Sequence, residues 1–127
     1  MLNELIKRYP ALANCKEDLE NAAAALIKMY ENGGQLLLAG NGGSCADCDH
    51  IVGELMKGFL SMRKIDKNMA EKIGEMFPED KEYFENTLQG SLPAISLPSQ
   101  SALLSAFAND VDADMVYAQL VFGYGKP

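Results

Sequence analysis

Tryptophan is absent from the 127 residues, histidine occurs once, and aromatic residues make up only 8% of the chain. With one imidazole, this chain cannot build a multi-histidine zinc centre by itself. Positive charge is scarce: 11 Lys and Arg stand against 18 Asp and Glu, a net charge of −7. A sequence-independent grip on nucleic acid needs a basic surface, so direct nucleic-acid binding is not expected. A polybasic membrane patch is missing too. No apolar run approaches the roughly 20 residues of a membrane span. "MLNELIKRYP" lacks the apolar stretch of a signal peptide. Three cysteines are an odd count without scaffold spacing, which fits reduced thiols and a cytoplasmic location. The acidity does not bar a phosphorylated substrate, provided the site is locally positive.

Nearly half the chain, 48%, is hydrophobic, which is enough for one compact domain over 1–127. There is no internal repeat and no low-complexity segment. Leu12, Leu19, Ala22, Leu26 and Tyr30 recur at helical spacing, predicting a helix from about Leu12 to Glu31. Asn32-Gly33-Gly34 stops it. "QLLLA" is a short apolar run that suits a strand buried on both faces, and "PAISLP" reads as a second. A helix from about Ser44 to Phe59 follows the first strand. Residues 61–91, rich in Lys, Glu and Asp, form a helical insertion: Ile65, Met69, Ile73 and Met76 on one helix, then Pro78, then Tyr83, Phe84 and Leu88 on another. Ser99 is placed to cap a helix through Ala108, and Asp112 to cap the last, with Val116, Leu120 and Tyr124 on its stripe. Strand–helix–strand implies a right-handed parallel crossover. Two strands are few for a parallel sheet, so the expected fold is the front part of a larger α/β domain, incomplete at its C-terminal end. A half-sheet leaves open edges and apolar surface, so a homo-oligomer is expected to cover them.

"AGNGGSCADCDH", from Ala39 to His50, supports several chemistries. Gly42 and Gly43 let the backbone approach a ligand at a helix N-terminus, where N–H groups favour an anion. A tight turn serves the same residues equally well. G-x-G-x-x-G and the P-loop lysine are both missing. Ser44 and Asp47 fit a capping pattern, S-x-x-D. On a helical wheel Cys45 and Cys48 share a side with Val52, Leu55, Met56 and Phe59, so packing explains them better than a redox pair. Asp49 separates Cys48 from His50, which breaks the haem-attachment motif. His50 and Glu54 lie one turn apart on the opposite side. They make either an ordinary surface pair or two ligands of a divalent metal, with Glu54 able to move a proton between adjacent carbons.

"GNGGSCADCDHIVGEL" closely resembles the signature of the phosphoheptose isomerase family, within the sugar isomerase (SIS) domain superfamily. "SLPAISLPSQSALLSAFANDVDADMVYAQLVFGYGKP" resembles the family's next strand, Asn-Asp pair and following helix. The resemblance runs over about Leu12 to Phe59 and Leu92 to Pro127. It implies an α/β SIS domain, Rossmann-like or flavodoxin-like, with a parallel sheet flanked by helices, assembled as a dimer or tetramer with sites between subunits. It implies interconversion of sedoheptulose 7-phosphate and a heptose 7-phosphate, often with zinc. Carried over, Asn41, Gly42, Gly43, Ser44, Glu54, Asn109 and Asp110 contact the phosphorylated sugar. His50 and Glu54 hold zinc, and Glu54 is the base. The family's later phosphate loop and its Gln and His ligands have no counterpart here, so the isolated chain is expected to be inactive. The alternative is a non-catalytic SIS protein, either a replication-initiator-associating module or a sugar-phosphate sensor.

Overall fold

The computed structural model describes residues 2–126. Its contacts divide the chain into two compact units, Met1–Gly34 and Gln35–Pro127.

The first unit holds two helices, α1 (Leu2–Arg8) and α2 (Lys16–Glu31), joined by a 3₁₀ turn over Pro10–Cys15. The expected helix from Leu12 therefore begins four residues late. Pro10, which has no N–H to give, opens the tighter turn, and the Cys15 thiol donates to Leu12 O at 3.3 Å. From Lys16 onward the alanine run carries a regular helix. Glu17 and Asp18 in its first turn and Lys28 in its last match the helix dipole. It ends as its glycines predict. Gly33 takes φ 71° and donates to Tyr30 O, and Gly34 donates to Met29 O, the paired bonds of a Schellman cap.

The second unit contains a small parallel sheet. Strand β1 (Leu36–Leu38) pairs with β2 (Ala94–Ser96) in the register Leu36–Ala94, Leu37–Ile95, Leu38–Ser96. Helix α3 (Gly43–Met56) follows β1 and packs on β2. The parallel pairing and the intervening helix agree with the sequence pattern, and the whole is a helix-dominated α/β arrangement. The core is thin. Cys48, Ala94, Leu97 and Leu120 are buried, while all three residues of β1 keep partial exposure. Phe59 was expected on the apolar stripe of α3. It is 73% exposed, because the helix ends at Met56 and Lys57 is extended.

Between α3 and β2 stand α4 (Lys67–Met76) and α5 (Lys81–Thr87), packed on each other. Asp66 caps α4 by accepting from Met69 N at 2.9 Å. Phe77 meets Phe84 edge-on, centroids 5.5 Å apart. The base of this insertion is clipped to α3. Arg63 donates to Leu55 O at 2.6 Å and Gly90 O at 2.8 Å, and Gly58 N donates to Gln89 Oε1 at 3.0 Å.

After β2, a 3₁₀ turn (Leu97–Ser99) leads into α6 (Ser101–Asp110), and a second one (Ala113–Met115) leads into α7 (Val116–Tyr124). Asp112 starts that second turn by accepting from Asp114 N at 2.8 Å. The expected role of Ser99 as a cap is corrected: Gln100 occupies that position, with no side-chain capping bond, and the Ser99 hydroxyl turns to Asp49. No helix among the described residues is long and apolar enough to cross a membrane.

Candidate functional site

In open α/β sheets ligands bind beyond the carboxyl ends of the strands. Here β1 runs out into Ala39–Gly42 and β2 into the Leu97–Ser99 turn; as the strands are parallel, both exits lie at one end of the sheet.

The first exit is a tight loop. Gly42 adopts φ 58°, ψ −123°, a conformation closed to residues with a Cβ, and it serves as the N-cap of α3. Ser44 N donates to Asn41 O and Cys45 N to Gly42 O, closing the first turn. The S-x-x-D capping expectation is thereby overturned. No side chain caps α3, and Ser44 and Asp47 lie inside the helix. Among the described residues no acceptor meets the N–H groups of Gly42 and Gly43, so the loop offers donors at a helix N-terminus.

A tyrosine holds this loop from α7. The Tyr117 hydroxyl lies 2.8 Å from Asn41 Oδ1 and 3.1 Å from Gly40 O. At the other end of α7, Gln35 Nε2 donates to Tyr124 O at 2.5 Å. Helix α7 thus runs antiparallel beside β1, with one end on the loop and the other at the strand's start. Sequence patterning named Tyr124 but passed over Tyr117. The signal was present: Tyr117, Leu120 and Tyr124 recur at i, i+3 and i+7, and a phenol on a packed stripe needs a polar partner.

Along α3, His50 Nε2 and Glu54 Oε1 lie 3.7 Å apart with side chains 78% and 51% exposed. Asp47, His50, Ile51, Glu54 and Leu55 line one open depression of about 560 Å³. The opposite side carries the thiols, with Cys48 buried and Cys45 partly so, both free. The larger hollow of the first unit is lined by Leu2, Leu5, Ala23, Ala24 and Ile27, with Glu20 its one charged group, and it lacks convergent chemistry.

At the second exit, Ser99 Oγ donates to Asp49 Oδ1 and lies 3.3 Å from Ser96 Oγ. The hydroxyls of Ser96 and Ser99 hold the Asp49 carboxyl below its ordinary range. Asp49 shares its helix face with Val52 and Met56, so a carboxylate there signalled a polar partner on the strand side. Asn109 and Asp110 close α6, where Asn109 Nδ2 donates to Asp110 Oδ1 at 2.8 Å. Their side-chain hydrogen bonds among the described residues stay within the pair.

For zinc, His50 and Glu54 are suitable donors, but no group of three His, Cys, Asp or Glu side chains able to hold a metal occurs among the described residues. His50 and Glu54 alone would make at most two of the four donors of a tetrahedral site.

Among the curated sequences similar to this chain are three phosphoheptose isomerases. The phosphoheptose isomerase of Chlorobaculum parvum is 32% identical over 117 residues, 91% of this chain and 44% of that protein. That of Chlorobium phaeobacteroides is 36% identical over 107 residues, 84% of this chain and 37% of that protein. Phosphoheptose isomerase 2 of Campylobacter jejuni is 31% identical over 107 residues, 84% and 40%. The chain is a sequence relative of the phosphoheptose isomerases. It spans about two fifths of the length of these relatives. No family model matches it.

Proposed function

We propose that this chain is a partial SIS domain providing the substrate loop and metal face of a phosphoheptose isomerase-type enzyme. The substrate is a ketose phosphate of the sedoheptulose 7-phosphate kind, converted to the aldose. The observation carrying this reading is the glycine loop with unengaged N–H groups opening the same helix that bears the His50–Glu54 pair. Relatives that carry the name phosphoheptose isomerase support it. They lend nothing to the alternative of a replication-initiator-associating module.

In the reaction, Glu54 takes a proton from C1 while the C2 carbonyl oxygen is protonated, giving the 1,2-ene-diol. Return of a proton to C2 and loss of the O1 proton give the aldehyde. The N–H groups of Gly42 and Gly43 and the N-terminal dipole of α3 bind sugar oxygens remote from the carbons at which Glu54 acts. Asn41 and Ser44 orient the sugar at the loop, and Asn109 and Asp110 receive its hydroxyls. Zinc bound at His50 and Glu54 would polarise the carbonyl. Its other ligands, the phosphate cradle and the general acid come from outside these 127 residues, contributed within an oligomer or by further sequence. This chain alone therefore binds the sugar phosphate without turning it over. The test is titration of the purified chain with sedoheptulose 7-phosphate, alongside an assay of aldose formation. Saturable binding at the loop without turnover is expected. Absence of binding contradicts the substrate class, and robust turnover contradicts the shared site.

A further inference from the structure

We infer that Tyr117 is a positioning residue for the glycine loop, fixing the Asn41 amide so that its N–H₂ faces the ligand. The inference rests on the phosphosugar reading of that loop. Asn41 is exposed, and an asparagine at a loop tip ordinarily samples several rotamers. Here its Oδ1 is the nearer of the two acceptors around the Tyr117 hydroxyl, 2.8 Å against 3.1 Å for Gly40 O. The single phenolic proton therefore goes to Oδ1, and no acceptor among the described residues engages Nδ2. The loop then offers the Asn41 N–H₂ together with the two backbone N–H groups to the oxygens of a ligand.

The tether is remote in sequence and well supported. Tyr117 is 76 residues from Asn41, and its ring is half-buried at the start of α7. The Asp112 cap sets the preceding turn, while the bond from Gln35 to Tyr124 O holds the helix's far end to the start of β1. Neither anchor touches the ligand loop, so the hydroxyl can be removed without dismantling the helix.

Tyr117→Phe removes only that oxygen. In the full chain it should weaken sedoheptulose 7-phosphate binding roughly five- to tenfold, the effect of one lost hydrogen bond. In an Asn41→Ala background the same substitution should cause no further loss, because Tyr117 acts through Asn41. The Asn41 side-chain amide signals in a ¹H–¹⁵N spectrum of the free chain should move toward random-coil positions in Tyr117→Phe, while the thermal midpoint stays near that of the parent. An equal loss of binding in both backgrounds would overturn the inference, as would unmoved Asn41 side-chain signals. If the parent chain does not bind the sugar phosphate, the functional reading fails, and the side-chain spectrum of the free chain still decides whether Tyr117 orients Asn41.

Discussion

The hydroxyl of Ser99, in the turn leaving β2, donates to the carboxylate of Asp49 in the second turn of α3. This bond ties the helix that carries His50 and Glu54 to the strand end beside it. The Ser96 hydroxyl first, and then that of Ser99, set the folded-state pKa of Asp49 below its ordinary 3.8. A depressed carboxyl pKa means that the tie contributes stability above the unfolded-state value and loses it as pH falls through the folded-state value. Thermal midpoints of the parent chain and Asp49→Asn should therefore differ by a constant amount at neutral pH and converge in strong acid. A gap that widens on acidification would be the wrong sign.

Gly42 tests the loop's backbone. At φ 58°, ψ −123°, any side chain is strained. Gly42→Ala should lower stability by about 1–3 kcal/mol or force the loop into another conformation. Urea unfolding, with amide spectra of residues 40–45, separates the two outcomes.

Cys48 tests packing against redox chemistry. It is 5% exposed, whereas Cys45 is more open. Cys48→Ser places a hydroxyl in the core and should cost roughly 1–3 kcal/mol in chemical denaturation, with Cys45→Ser much milder. Alkylation of the native chain should reach Cys45 well before Cys48. Equal rates at the two thiols would argue against the packed face.

Arg63 tests the attachment of the α4–α5 insertion. Its two bonds hold the carbonyls of Leu55 and Gly90. Arg63→Met, which keeps the apolar stem, should cost about 1–3 kcal/mol. Hydrogen exchange in residues 64–90 should accelerate more than in β1 and β2. Uniform acceleration would mean that the insertion and sheet unfold as one.

Much of this architecture was legible from local chemistry. Asn32-Gly33-Gly34 announced a helix stop and forms one, and "QLLLA" and "PAISLP" announced strands that pair in parallel. The opposition of Cys48 to the His50–Glu54 face followed from helical spacing alone. Where prediction failed, a long-range partner had overridden a local preference. Ser99 is a good capping residue, yet its hydroxyl serves an aspartate 50 positions earlier. At Ser44 and Asp47 the cause is local instead: they match a capping box, yet Gly42 takes the N-cap and the helix begins ahead of them. Tyr117 lay on a legible stripe, but no local pattern says that its partner is 76 residues away. Helical spacing did set Asp47 beside His50 and Glu54, and all three line one depression.

The central claim is that the loop at Asn41–Gly43 and the His50–Glu54 face of α3 receive a phosphorylated ketose. Its most direct test is a ¹H–¹⁵N titration of the 127-residue chain with sedoheptulose 7-phosphate, with sedoheptulose as the comparison. The account predicts saturable shifts in the amides of Gly42, Gly43 and Ser44, together with the His50 ring, and comparable shifts with the unphosphorylated sugar, because the phosphate cradle lies outside these residues. Unmoved loop amides at millimolar ligand, or shifts confined to the α4–α5 insertion, would contradict it.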